Sequence, residues 1–244
     1  MKLLSVGSNT KINKSDAFGG YLTAILHLAP ADLSGNQVCP WSTEGCRAAC
    51  LNTAGRGKFS NVQNARIAKT QHFFADTKTF MKELIDDIEA HVRKCKREDV
   101  RPVVRLNGTS DIVWERIAVT YKSKSRFEIY NKPKQYKNIF DLFPEVEFYD
   151  YTKAPYGKRR EAENYTLVYS RANESQRDDL CKILAEGGRV AVVFSGALPS
   201  TYWGYPVIDG DKNDLRFLDP RGVIIGLSAK GDAKKDTSGF VVHN

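Results

Sequence analysis

The chain has 244 residues, 41% of them apolar and 27% charged, and a formal charge of +8. This is the composition of an ordinary globular protein long enough to bury a full core, and its basic balance is read either as a plain solvated surface or as attraction to an anionic partner such as nucleic acid, a nucleotide or a phosphorylated substrate. The start, Met1-Lys-Leu-Leu-Ser-Val-Gly-Ser-Asn9, lacks the sustained apolar stretch of a signal peptide. The longest apolar runs, Val190–Phe194 and Val223–Ile225, are too short to cross a bilayer. A cytoplasmic protein with no membrane partner is expected.

In chain order, Tyr21-Leu-Thr-Ala-Ile-Leu-His-Leu28 reads as a first strand, and its apolar run ends at Ala29-Pro30. A cysteine loop follows: Cys39, Cys46 and Cys50 take three of the five cysteines into a dozen residues. Thiolates gathered in this way serve as metal ligands, because soft sulfur binds soft metal and a loop lets side chains converge. An odd, low cysteine count argues against a disulfide framework.

Gly55-Arg-Gly-Lys58 precedes a helix and is read either as an anion-holding turn or as a plain flexible one. A helical region, in two pieces, is predicted over Asn61 to Arg97. Cys95 continues the apolar stripe Phe80, Leu84, Ile88, Val92 as core filler, and Cys181, among Leu180, Ile183 and Leu184, is read the same way. Pro102–Leu106, Glu145–Tyr149 and Tyr165–Tyr169 read as strands two to four. Ser175 opens a helix that Gly187-Gly188 closes, and Arg189–Phe194 and Gly222–Leu227 are strands five and six. Asp209-Gly-Asp-Lys-Asn-Asp214 opens like a calcium loop, but Asp214 stands at the glycine position and Pro220 at the final glutamate, so a polar turn is expected.

Strands separated by helices imply an α/β fold with a mostly parallel sheet, either a partial (β/α)6-type barrel in a single domain over residues 1–244 or an open doubly wound sheet. Both put their chemistry at the carboxyl ends of the strands. Polar residues gather there: Asn107, Gly108, Thr109, Ser110 and Asp111 after strand two, Asp150 and Lys153 at strand three, Ser170 and Arg171 at strand four. Asp111, Asp150, Lys153 and Arg171 are read as ligand contacts or as ion pairs bracing the mouth. Arg171 or Lys153 would suit a carboxylate or phosphate, and Asp111 or Asp150 a ribose hydroxyl or amine.

A cysteine triplet after the first strand of such a fold resembles the radical S-adenosylmethionine superfamily. That resemblance implies a four-iron, four-sulfur cluster on Cys39, Cys46 and Cys50 with one iron left open to S-adenosylmethionine. It also implies cofactor contacts at Asn107, Gly108, Ser110, Asp111, Ser170 and Arg171, with Gly226 of Gly222-Val-Ile-Ile-Gly226 in the adenine-holding pattern. The spacing C-x6-C-x3-C departs from the usual C-x3-C-x2-C, Ala49 stands at the aromatic position, and Ala229 at the acidic one. Over nearly its full length the chain is also similar to a family of bacteriophage and prophage proteins. Ala54–Gln63, Arg105–Asp111, Phe148–Lys153 and Asp219–Gly222 carry that likeness.

Zinc is the rival for the triplet, with His27 or His72 completing a structural site. The chain would then be a binding module for nucleic acid or a host protein. Its contact surface would be the basic and aromatic stretch from Tyr121-Lys122 through Tyr136-Lys137. Ser-His-Asp and Cys-His nucleophile patterns have no local context here.

Overall fold

The computed structural model describes residues 1–7, 19–123 and 132–243. Among them a ten-stranded sheet organises the chain. Its strands are β1 (Leu4–Val6), β2 (Tyr21–Leu26), β3 (Arg101–Arg105), β6 (Glu147–Thr152), β7 (Tyr165–Ser170), β8 (Arg189–Phe194), β9 (Thr201–Tyr202), β10 (Tyr205–Asp209), β11 (Val223–Ser228) and β12 (Val241–Val242). A separate antiparallel ribbon pairs β4 (Val119–Tyr121) with β5 (Lys134–Tyr136). The six strands expected from sequence are β2, β3, β6, β7, β8 and β11. They lie side by side in chain order, all parallel.

This order has a consequence. Right-handed crossovers between successive neighbours collect on one face of the sheet. Side chains of one parity, among them Ala24, Leu26, Val104, Phe148 and Leu167, pack against the long helices α2 (Ser60–Ala75) and α3 (Thr77–Glu98). Val190, Val192, Phe194 and Ile224 pack against α5 (Arg177–Ala185). Helix α3 starts where Asp76 accepts a hydrogen bond from Thr79 N–H, and it buries Phe80, Leu84, Ile88 and Cys95 at helical spacing.

The other face is covered in part by a loop segment with one short 3-10 turn, Arg216–Leu218. The stretch from Asp214 to Asp219 lies against it, with Leu215 packed on Tyr21, Val103 and Tyr149, and Phe217 edge-on to Tyr21. It brings a buried ionic cluster. Arg105 Nη1 stands 3.2 Å from Asp214 Oδ2, Tyr149 Oη donates to the same oxygen over 2.9 Å, and Arg216 pairs with Asp219 at 2.9 Å. Arg189 donates twice to the Asp219 carbonyl.

Several local expectations are corrected. Asp150 lies inside β6 rather than at its end, because the strand runs on to Thr152. Asn173, not Ser175, caps the turn before α5, its side chain accepting from Ser175 N–H at 3.1 Å. Cys181 is half-buried rather than core, whereas Cys95 is fully buried. Short strands β1, β9, β10 and β12 carry too few residues to announce themselves by periodicity.

The interior cluster yields a stability prediction. Asp214→Ala leaves Arg105 buried opposite two tyrosines, and it is expected to lower the unfolding free energy by about 3–5 kcal/mol in urea denaturation. A loss below about 1 kcal/mol would place the cluster among solvated surface pairs.

Candidate functional site

The cysteine loop crosses the carboxyl ends of the parallel strands and is tied down on both sides. On one side, Asp111 N–H donates to Val38 O over 2.8 Å, Ala29 N–H donates to Thr70 Oγ1 over 2.8 Å, and Thr109 hydrogen-bonds Leu28 O. On the other, the short helix α1 (Glu44–Ala48), capped by Thr43, packs Cys46 and Ala49 against Val193, Ala229, Phe240 and Val241. Gly45 lies so close to Ser238 that no side chain fits there.

All three cysteines are half-buried. Cys39 Sγ accepts from Ala31 N–H at 3.4 Å, and Cys50 Sγ from Asn52 N–H at 3.5 Å. Burial pushes the Cys39 thiol up to about 12, and the neighbouring Asp111, Cys50 and Cys46 act in the same direction. Burial also raises Cys50, reinforced by Cys46 and opposed by Lys153 and Arg66. The thiols therefore lie within each other's fields, with two cations beside them. Among the described residues, no three His, Cys, Asp or Glu side chains converge closely enough to share one metal ion.

The residues after β3 form a bracing network. Asn107 Oδ1 accepts from Ser110 Oγ (2.9 Å), Ile112 N–H (2.9 Å) and Trp114 Nε1 (3.1 Å). Asp150, pointing to the helix-covered face, accepts from Asn107 N–H at 2.6 Å and Tyr165 Oη at 3.1 Å, and burial raises its pKa to about 7. Asp111 accepts from Lys153 N–H at 2.9 Å and Thr152 Oγ1 at 3.1 Å, and pairs with the buried Arg159 at 2.7 Å. Gly108 is required sterically, since a Cβ would come within 2.7 Å of Leu26 O and 2.8 Å of the His27 ring. Gly226 likewise lets Leu198 and Val207 close on β11, each 2.9 Å from where its Cβ would be.

Lys153 and Ser170 face each other across β6 and β7, with Lys153 Nζ donating to Ser170 Oγ over 2.6 Å and lying 5.1 Å from the centre of the Phe240 ring. Arg171 grips the carbonyls of Gly239 and Phe240 at 2.8 and 3.3 Å, which brings β12 beside the end of β8 just beyond β7. His72 is engaged by Glu83 at 3.2 Å. His27 stands at the end of β2 near Arg66, Arg105 and Lys69, and burial and those cations lower its pKa to about 3.

Arg66, Arg159 and Phe240 carry weight that their sequence context does not announce. Arg66 hydrogen-bonds Asn52, and its Nε is buried with no hydrogen-bond partner among the described residues. The single signal for Arg66 is its place on a helix that follows the cysteines directly. Arg159 lies in a basic run of three residues that reads as solvated surface.

Because the folded chain keeps His27 neutral where the unfolded chain would protonate it, proton uptake favours unfolding. This contribution to stability is intact above pH about 6.5 and is lost as the pH falls toward about 3. An NMR titration is expected to find the His27 imidazole unprotonated at pH 5, and His27→Gln is expected to flatten the acid side of the stability profile. A ring that titrates near its ordinary value would refute the placement.

A family model described as Gene product 88 matches residues 2–244. Neither the curated proteins nor the solved structures give a significant match. The chain is therefore a phage-type protein that belongs to the Gene product 88 family.

Proposed function

We propose that the chain is an iron–sulfur protein of radical S-adenosylmethionine type. One observation carries the reading: three thiols of one loop lie within one another's fields over the carboxyl ends of a parallel sheet, beside Lys153 and Arg66, and among the described residues no three side chains converge on a single ion. A cubane cluster takes each thiolate on a different iron, so its cysteines stand further apart than the ligands of one zinc. The half-buried Arg66 guanidinium, held by Asn52 with its Nε left over, suits the negative charge that such a cluster brings. The chain-order arrangement of the six parallel strands also supports a sheet curled into a partial (β/α)6 barrel, the form in which such a mouth would be shared by all the strands.

When bound, the four-iron, four-sulfur cluster would supply one-electron reduction of the sulfonium of S-adenosylmethionine. Cys39, Cys46 and Cys50 would hold it, and the raised pKa values of Cys39 and Cys50 mean that binding must displace protons. Lys153 and Ser170, which hydrogen-bond each other, would receive the carboxylate of the methionine moiety. Asn107, Ser110, Asp111 and Asp150 would keep the turn at Gly108 rigid beneath the cofactor, and Arg171 would hold the Phe240 segment over the mouth. The substrate is anionic on this reading, matching the charge of +8. The site of action would be the host cytoplasm.

A second reading is favoured by the β4–β5 ribbon, where Lys134 Nζ lies 4.8 Å over the Tyr136 ring beside Lys132 and Lys137. Residues 124–131 of that basic and aromatic stretch lie outside the described residues. There the metal would be structural, zinc included, and the ribbon would grip nucleic acid.

Anaerobic purification with metal and sulfide analysis separates the two. Iron with acid-labile sulfide and a broad visible absorption is expected, falling to background in Cys46→Ala while the variant stays folded, followed by cleavage of S-adenosylmethionine on reduction. Zinc without sulfide, together with a salt-dependent gel shift needing no S-adenosylmethionine, would establish the second reading instead.

A further inference from the structure

Two basic runs that are separate in the chain, Lys122 to Lys137 and Lys158 to Arg160, meet on the surface. Glu115 and Arg116 join them. Arg116 Nη2 donates to Lys158 O over 3.2 Å, and Glu115 Oε1 accepts from Arg160 N–H at 3.3 Å. On the other side Asn138, just after β5, donates to Glu115 O over 3.4 Å, and the chain runs from Arg116 almost directly into β4. Arg116, Lys122, Lys137, Lys158 and Arg160 are all exposed, and among the described residues none of them is in an ion pair. The carboxylates beside them are engaged elsewhere: Glu115 by the buried Arg159 at 2.6 Å, and Glu89 by Tyr121 and Arg93. The exposed Asp141, on the helix α4 (Ile139–Leu142) that packs on the ribbon, borders the group. Exposed cations gathered without partners are the electrostatic footprint of a polyanion.

The ribbon also shows which polyanion fits. Strand alternation sets Thr120 opposite Gln135 on the exposed face, and the same alternation continues to Lys122 and Lys137. The aromatic residues take the other face. Tyr121 and Tyr136 pack against the core, and Tyr121 Oη donates to Glu89 of α3 over 2.7 Å. Tyr156, in the loop that carries Lys158, hydrogen-bonds Glu186. Binding of a single strand draws on rings open to its bases, whereas duplex phosphates require only cations and polar donors. We propose that Arg116, Lys122, Lys137, Lys158 and Arg160 form a surface for the phosphate backbone of a double-stranded nucleic acid. The surface shares no residue with the cysteine loop and does not depend on the metal there.

Fluorescence anisotropy tests the surface, with short DNA and RNA duplexes and an oligothymidylate of equal length titrated across a salt series. The logarithm of the affinity is expected to fall with that of the salt concentration at a slope of about −4 to −5, the value for about five phosphate contacts. Both duplexes are expected to bind about tenfold or more tightly than the oligothymidylate, the tighter one identifying the partner. Lys122→Glu/Lys137→Glu and Lys158→Glu/Arg160→Glu are each expected to weaken duplex binding about tenfold or more and to reduce the slope by about 2. Lys234→Glu/Lys235→Glu, the same charge change beside the Phe240 segment, is expected to leave the slope as it is and the affinity within about threefold at physiological salt. Folded Cys46→Ala is expected to bind as the parent chain does. Loss through only one of the two runs overturns the composite surface, as does equal loss in the Lys234/Lys235 variant or tighter binding of the oligothymidylate. Binding that falls in Cys46→Ala and not in the ribbon variant places the contact at the cysteine loop and overturns it too. Iron-free protein with the expected pattern upholds the surface while the iron–sulfur reading fails, and iron-loaded protein without that pattern does the reverse.

Discussion

The buried amide of Asn107 is the point on which the functional end of the molecule rests. A parallel strand that stops leaves polar backbone groups at the carboxyl edge of the sheet, and buried groups of this kind must find partners. Asn107 satisfies the turn after β3 with its side chain and fixes it to β6 through Asp150. Four residues on, Asp111 extends the same network to Lys153, Arg159 and the backbone of Val38, the residue before Cys39. The cysteine loop therefore sits on a lattice of hydrogen bonds rather than on apolar packing alone.

From that support the loop reaches across to the far strands, where α1 meets the ends of β8 and β11 and the Phe240 segment. Strands distant in sequence are thereby joined through the residues that carry the candidate chemistry. Lys153 is the meeting point: its backbone is held by Asp111, its ammonium by Ser170, and its charge acts on Cys50 while Phe240 covers it. A cation so held is preorganised and loses little freedom on meeting an anion.

Charge is distributed unevenly across the two faces of the sheet. The helix-covered face is apolar apart from the Asn107–Asp150–Tyr165 network, whereas the opposite face buries Arg105, Asp214, Arg216 and Asp219 together. Buried ions of this kind favour one arrangement of chain over others by penalising every arrangement that leaves one unpaired. The stretch from Asp214 to Asp219 has no regular pattern, and its ionic pairing with Arg105 supplies what periodicity does not.

Six parallel strands, two long helices and the clustering of three cysteines at the strand ends were legible from the chain alone. Hydrophobic period and ligand spacing are local properties, set within a dozen residues and insensitive to what packs around them. The two- and three-residue strands were not, because their pairing depends on an edge that exists only once the sheet is formed. Nor were the destinations of single polar side chains. Asp150, inside β6, and Asp214, after β10, are both acidic, yet one braces a turn and the other joins an ionic cluster with Arg105. Arg66, Arg159 and Phe240 become neighbours of the cysteine loop or its supports only through contacts between distant segments. The sequence by itself determined the order of the elements and the presence of a thiol cluster. Only the tertiary structure decided which charges face that cluster and which are consumed in holding it, because hydrogen bonds and ion pairs are assigned by proximity in space.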